Sequence, residues 1–344
     1  MEVNFIVVIV SIIVIILLIA IFIIWWLTYR ILFQPTRDHI WYPSYEFSNV
    51  FIPTSSSTST DAIIINSNES ITNKLPSAAS GQPLTSLRSD KFNPEDQIFP
   101  YALLHCWWFR NFPGKKVVLF FHGNNANISH REYAIEICRQ LELNLFLPDY
   151  RGFGLSSGAS TLDNIKTDAE KIYAFVRKHY DPNDIIIWGE SLGGTPALKV
   201  ASSYSCHKLV LFATFASIED VIWSNHPTGL MKILGYMTKY TMTPMPNKEY
   251  MKSVTCPVII LHSKEDDRIP YINAEILCNN VKHGNVELVT FKGSHGCPTF
   301  KCDSLPKLSK FLGFDEKQCA KVQWDKIFEK LGSKIEAPTK LIAG

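Results

Sequence analysis

Charge is scarce in this chain and nearly balanced: 19% of its 344 residues are charged and the formal net charge is +2. A nucleic-acid binder draws its affinity from neutralising phosphates with Lys and Arg, so this balance excludes nucleic acid as a partner. Disorder is excluded by a shortage of polar residues, because 46% of the chain is hydrophobic. No collagen-like glycine period, coiled-coil array or internal repeat runs along it. Eight cysteines in a chain of this length are too few and too scattered for a disulfide scaffold. Cys106, Cys138, Cys206, Cys256 and Cys278 fall in apolar segments, where free buried thiols are common. Cys297 and Cys302 lie close enough for a local bridge or, with His295, a metal site, but zinc needs four ligands and no second pair is in sight, so no metal is expected, while the disulfide state of the eight cysteines stays open. What remains is a globular protein of one large α/β domain or two small ones.

The apolar excess is concentrated at the start. Phe5 to Leu27 carries no charge and one polar side chain, Ser11. At about 1.5 Å per helical residue, that run is long enough to cross a bilayer core of about 30 Å. Trp25, Trp26 and Tyr29 fall where an interfacial aromatic belt would be, with Arg30 beyond them. A cleaved signal peptide needs a basic start, a shorter apolar run and small residues at the cleavage site. Here Glu2 is the only charge ahead of the run, and Trp25-Trp26 stands where the small residues would be. The expectation is one uncleaved transmembrane anchor over residues 5–27, with a lipid bilayer as partner. Which side the remainder occupies stays open. Arg30 and Arg37 favour a cytosolic position. Asn68-Glu69-Ser70 and Asn127-Ile128-Ser129 match the N-glycosylation pattern, which is usable only in a lumen or outside the cell. The oligomeric state is equally open.

Residues 28–97 comprise a stretch that reads as extended, 40–52, and a Ser-, Thr-, Asn- and Pro-rich linker or insertion, 53–93, with too little apolar content for a core of its own. From 98 to 313 strand-like and helix-like patterns alternate, and 314–344 forms a tail. Residues 102–109 and 116–121 flank Pro113-Gly114 and read as a hairpin. The second of these contains VVLFF, apolar on both faces, as in the interior of a mostly parallel sheet. Further apolar runs end at Leu147, Trp188, Ala213, His262 and Phe291, with helical patterns at 131–141, 162–180, 192–202 and 271–282. The alternation predicts an α/β fold with a mostly parallel, doubly wound sheet. In such sheets ligands sit in the loops at the C-terminal ends of the strands.

Ile185-Ile186-Ile187-Trp188 leads into Gly189-Glu190-Ser191-Leu192-Gly193 and then a helix. Gly-x-Ser-x-Gly at a strand-to-helix junction makes a sharp, strained turn that exposes the hydroxyl, with glycines where the backbone is crowded. The N-terminal N–H groups of the helix face any negative charge that develops there. Gly154-Leu155-Ser156-Ser157-Gly158 matches the same pattern, but it lies several residues past its strand, so context favours Ser191 over Ser156. A serine hydroxyl needs a base oriented by a carboxylate. Among ten histidines, His39, His179, His207 and His283 read as surface or helix-end residues and His262 ends a strand. His295, in the loop Gly293-Ser294-His295-Gly296 past the last strand, is the candidate base. The acid comes from Lys264-Glu265-Asp266-Asp267-Arg268-Ile269-Pro270, with Asp266 the first choice and Asp267 the second.

Stabilising an oxyanion takes backbone N–H donors, here those of Leu192 and Asn124. Asn124 lies in His122-Gly123-Asn124-Asn125-Ala126-Asn127, where Gly123 allows close approach of backbone to substrate. His122 reads as a residue that holds this loop rather than one that moves protons. Asp149-Tyr150-Arg151-Gly152 is expected to brace the loops through an Arg–Asp bond.

Together HGNNANISHR at 122–131, PDYRGFGLSSG at 148–158, WGESLGG at 188–194, ATFASI at 213–218, HSKEDDRIP and GSHG resemble the α/β-hydrolase superfamily, in particular its membrane-anchored ABHD-type serine hydrolases. The resemblance implies an α/β-hydrolase fold with a small helical cap at about 215–252. It implies Ser191 as nucleophile, His295 as base and Asp266 as acid, the last from its spacing to Ile269-Pro270. It also implies cleavage of acyl esters or thioesters without a cofactor. Ala126 and Ser263 stand where the family often carries Gly. Trp223, Met231, Met237, Tyr240, Met242 and Met245 either line an acyl-chain groove or pack the cap onto the sheet. Beside a membrane anchor they favour a lipid or acylated substrate at a membrane surface. The competing reading is a catalytically silent α/β-hydrolase fold used as a tethered interaction module. A transferase or peptidase on the same fold is a third.

Overall fold

The computed structural model describes residues 2–37, 43–54, 62–66, 101–225, 245–295 and 304–315. In chain order the strands are β1 (Gln34–Pro35), β2 (Ser48–Pro53), β3 (Ile63–Asn66), β4 (Leu103–Phe109), β5 (Val117–Phe121), β6 (Asn125–Ala126), β7 (Asn144–Pro148), β8 (Ile185–Glu190), β9 (Lys208–Phe212), β10 (Val258–Ser263) and β11 (Val286–Phe291). The helices are α1 (Glu2–Leu32), α2 (Glu132–Gln140), α3 (Asn164–Arg177), α4 (Gly194–Ser203), α5 (Ile218–Asn225), α6 (Asn247–Met251), α7 (Ile272–Asn279) and α8 (Ser304–Leu312).

Strand β5 shows why the sheet is central. All five of its residues are buried. Val117, Leu119 and Phe121 enter one core layer with residues of α3, α4, α6 and α7, and Val118 and Phe120 enter the other with residues of α2 and α8. Helices therefore cover both faces, which satisfies a strand with no polar side. The nine strands run in the order β11-β10-β9-β8-β5-β7-β4-β2-β3. Pairing is parallel from β7 through β5, β8, β9 and β10 to β11. It is antiparallel for β4 with β7, β2 with β4, and β2 with β3.

Several expectations are corrected. The segments flanking Pro113-Gly114 do not form a hairpin: β7 lies between β4 and β5, antiparallel to the first and parallel to the second. Leu145, Phe146 and Leu147 bury both their faces there, which a two-stranded hairpin would not provide. The stretch expected to be linker contributes β3, whose Ile65 is fully buried at the sheet edge. The Asn127 glycosylation pattern is buried and unusable, because its side chain caps the turn at Ile128–His130 by accepting from Ser129 N at 2.9 Å. Asn68, Cys297, Cys302 and most of the expected cap, including Met231, Met237, Tyr240 and Met242, lie outside the described residues.

Helix α1 is a continuous 31-residue element. Its described aliphatic side chains are solvent-facing at successive positions, Val7, Val8, Ile9 and Val10 among them, so exposure runs around the helix. Taken over the positions whose side chains are described, no helix is long and apolar enough to cross a membrane. The transmembrane expectation is therefore not established by the fold. After Phe33 the chain pairs as β1 with β6, in a small parallel ladder separate from the main sheet.

Candidate active site

The nucleophile elbow forms because its glycines leave space for backbone. A Cβ at Gly193 would lie 2.0 Å from the Phe121 carbonyl oxygen, and one at Gly189 would lie 2.6 Å from the Gly193 oxygen. Only glycine allows β8, the turn at Ser191–Gly193 and the end of β5 to pack this closely. Ser191 itself sits at φ 51°, in the left-handed region that a non-glycine residue enters at a cost. Thr214, just past β9, holds the turn by donating its hydroxyl to the Ser191 carbonyl at 2.7 Å.

Ser191 Oγ lies 3.0 Å from His295 Nε2, and His295 Nδ1 lies 2.8 Å from Asp266 Oδ2. Three loops, after β8, β10 and β11, thus bring residues far apart in sequence into one hydrogen-bonded row. The three carboxylates of the acid loop divide the work. Asp266 takes the imidazole, Asp267 Oδ1 accepts from His295 N at 2.9 Å, and Glu265 Oε2 accepts from Gly293 N at 3.0 Å. Asp266 Oδ1 also accepts from the amides of Ile269 at 2.7 Å and Arg268 at 3.0 Å. Burial pushes the Asp266 carboxyl up, but the His295 hydrogen bond and charge and these two amides outweigh it and hold the group below its ordinary value. Ser263, where the family often carries Gly, ties the acid and base loops together by donating to the Gly293 carbonyl at 2.5 Å.

The loop expected to supply an oxyanion donor stands directly against Ser191: a Cβ at Gly123 would lie 3.5 Å from Ser191 Cβ. His122 is fully buried, with Nδ1 2.8 Å from the Gly123 oxygen, Nε2 3.3 Å from Asp149 and its ring against Tyr150. These contacts brace the loop. Asp149 also accepts from Ile128 N at 3.0 Å, and Tyr150 donates to the His122 carbonyl at 2.7 Å. The expected Arg–Asp bond exists with a different acid, because Arg151 makes two 2.7 Å bonds to Asp168 on α3. Leu192 is buried at the head of the elbow turn.

Ser156, the second Gly-x-Ser-x-Gly serine, is fully buried and already engaged: its hydroxyl donates to Asp149 O at 2.9 Å and accepts from His105 N at 2.8 Å. Sequence reasoning missed Glu190, which accepts from Tyr133 OH at 2.6 Å and lies 3.4 Å from Arg131 Nε behind the Gly123 loop. The x of Gly-x-Ser-x-Gly carries no signal for such a role. Among the described residues, no group of three or more His, Cys, Asp and Glu could hold a metal ion. Trp223 is exposed and Met245 is buried at the two described ends of the expected cap.

A mostly parallel sheet with its serine at a strand-to-helix elbow, and with acid and imidazole on later loops in that order, defines an α/β hydrolase. A family model described as the alpha/beta hydrolase fold matches residues 116–268. An uncharacterised protein of Acanthamoeba polyphaga mimivirus is 31% identical over 216 residues, 57% of this chain and 72% of that protein. Alpha/beta hydrolase domain-containing protein 17C of Xenopus tropicalis is 31% identical over 175 residues, 49% of this chain and 53% of that relative, so the match spans about half its length. A solved esterase from Pyrococcus furiosus shares the fold at a TM-score of 0.52 and 16% identity, covering 87% of this chain and 97% of that one. The chain belongs to the α/β hydrolases of ABHD type.

Proposed function

We propose that the protein is a membrane-anchored serine hydrolase that cleaves acyl esters or thioesters through an acyl-enzyme intermediate. The observation that carries this reading is the row Ser191 Oγ to His295 Nε2, 3.0 Å, and His295 Nδ1 to Asp266 Oδ2, 2.8 Å. His295 takes the hydroxyl proton on Nε2 as Ser191 Oγ attacks the acyl carbon, while its Nδ1–H stays on Asp266. Asp266 remains ionised, in keeping with its depressed protonation, and stabilises the imidazolium that forms. The N–H groups of Leu192 and Asn124 receive the oxyanion. His295 then returns the proton to the leaving alcohol or thiol, and water repeats the sequence on the acyl-enzyme.

The anchor rests on the uncharged apolar run 5–27 of the sequence, since among the described residues no helix is long and apolar enough to cross a membrane. The described large apolar side chains of α1 from Val7 to Trp26 are between 41% and 61% exposed, bare hydrocarbon that favours a lipid surface. An anchor that holds the site beside lipid favours an acyl chain of a lipid or an acylated protein as substrate. The test is hydrolysis of p-nitrophenyl esters of increasing chain length by the full-length protein. Higher kcat/KM for medium or long chains than for acetate, lost in Ser191→Ala, is expected. A maximum at acetate refutes the acyl-chain reading, and undiminished turnover in Ser191→Ala refutes the site.

A further inference from the structure

The segment leaving α1 is built into the loop that flanks the nucleophile. Gln34 N donates to the Asn124 carbonyl at 2.9 Å, and Gln34–Pro35 runs as a parallel strand beside Asn125–Ala126. Thr36 N approaches the Ala126 carbonyl at 3.5 Å, and Asn127 Nδ2 donates to both Thr36 O and Thr36 Oγ1 at 3.1 Å. Beyond the loop, Thr36 O accepts from Gly154 N at 2.8 Å and Arg37 donates to Ser156 O at 2.6 Å. Leu32 and Phe33 pack on the core.

Two observations indicate that this pairing fixes the loop. Ala126 sits at φ 61°, a conformation that a residue with a Cβ keeps only where its surroundings dictate it. Its partner in the ladder is Pro35, whose ring fixes its own φ, so the strap is itself stiff. An oxyanion donor must also be held to a few tenths of an ångström, because its hydrogen bond must match the transition state and not the ground state. From Leu32 at the end of α1 to Gln34 there is one intervening residue, and at most about 3.6 Å per residue separates them along the chain.

We propose that the strap of residues 34–36 is a positioning element of the oxyanion loop, so that the placement of the segment leaving α1 is transmitted to the turnover of Ser191. This rests on the serine-hydrolase reading above. Positioning acts on the transition state, so disturbing the strap lowers kcat and leaves KM nearly unchanged.

The test compares two full-length variants in the same detergent with p-nitrophenyl butyrate. Gln34→Pro removes the N–H that bonds Asn124, whereas Gln34→Ala keeps it. The expected kcat of Gln34→Pro is about three- to tenfold below that of Gln34→Ala, the value of one hydrogen bond, with equal KM. Equal kcat in the two variants overturns the proposal. If Gln34→Pro does not fold, hydrogen exchange on the wild type decides. A fluorophosphonate adduct on Ser191 is expected to slow exchange of the amides of Gln34, Thr36 and Arg37, and unchanged exchange there overturns the proposal. Turnover that survives Ser191→Ala removes the underlying reading instead, which keeps the two failures distinct.

Discussion

Replacing Asp266 by Asn preserves the shape of the side chain and tests the division of labour in the acid loop. The Asn oxygen, at the Oδ1 position, still accepts from Ile269 N and Arg268 N, now 2.7 and 3.0 Å away, so the loop keeps its conformation. The amide nitrogen then occupies the Oδ2 position, 2.8 Å from His295 Nδ1. Two donors cannot face each other at that distance. His295 must shift its proton to Nε2, which removes the lone pair that should take the Ser191 proton. In a serine-protease triad this wrong-tautomer effect costs roughly 10⁴ in kcat, or about 5 kcal/mol at 1.36 kcal/mol per tenfold. Asp267→Asn is a contrasting case, because an Asn oxygen still accepts from His295 N, now 2.9 Å away. Its kcat is expected to stay within about threefold of wild type. Steady-state hydrolysis of p-nitrophenyl butyrate by both variants, with circular dichroism as a check on folding, reads the difference. A larger loss in Asp267→Asn than in Asp266→Asn would refute the reasoning.

Further outcomes follow from the same geometry. Gly193→Ala would put a methyl group 2.0 Å from the Phe121 carbonyl oxygen, so loss of activity with a melting temperature lowered by more than 10 °C is expected, on the order of a severe core clash; a melting curve like wild type would contradict it. Ala126→Gly relieves the strain of φ 61° but adds freedom to the unfolded chain, for a net gain of about 0.5 kcal/mol, whereas Ala126→Val is expected to destabilise; denaturant midpoints read both. Burial holds His262 below its ordinary value, outweighing its Ile269 carbonyl contact and the Asp266 charge. The unfolded chain therefore binds a proton that the folded one refuses, and stability falls as pH drops below about 6.5. His179 and His207 are lowered chiefly by burial and act in the same direction. Melting temperatures between pH 7.5 and 5 are expected to decline, with a shallower slope in His262→Gln; an equal slope would contradict it.

Much of the sheet was legible because buried strands are written as short runs such as VVLFF and IIIW, and their ends locate the loops that carry chemistry. The elbow was legible for a local reason, since Gly189 and Gly193 are required by close packing within a few residues. Strand pairing was not. Nothing near Pro113-Gly114 reveals that β7, far along the chain, inserts between β4 and β5. The choice among Glu265, Asp266 and Asp267 was ambiguous because all three do accept hydrogen bonds from the base loop, and only the distance to the imidazole separates them. The strap at Gln34–Pro35 escaped notice because it works through main-chain groups, which leave no trace in residue type. Ala126 and Ser263 show the reverse, departures from glycine that the structure accommodates by strain in one case and a new hydrogen bond in the other.

The most direct trial is mass spectrometry of the full-length protein after treatment with a fluorophosphonate, which reacts covalently with an activated serine. A single adduct is expected, carried by the peptide containing Ser191, absent from Ser191→Ala and retained in Ser156→Ala. An adduct on any other serine, or a folded wild-type protein that takes none, would contradict the account.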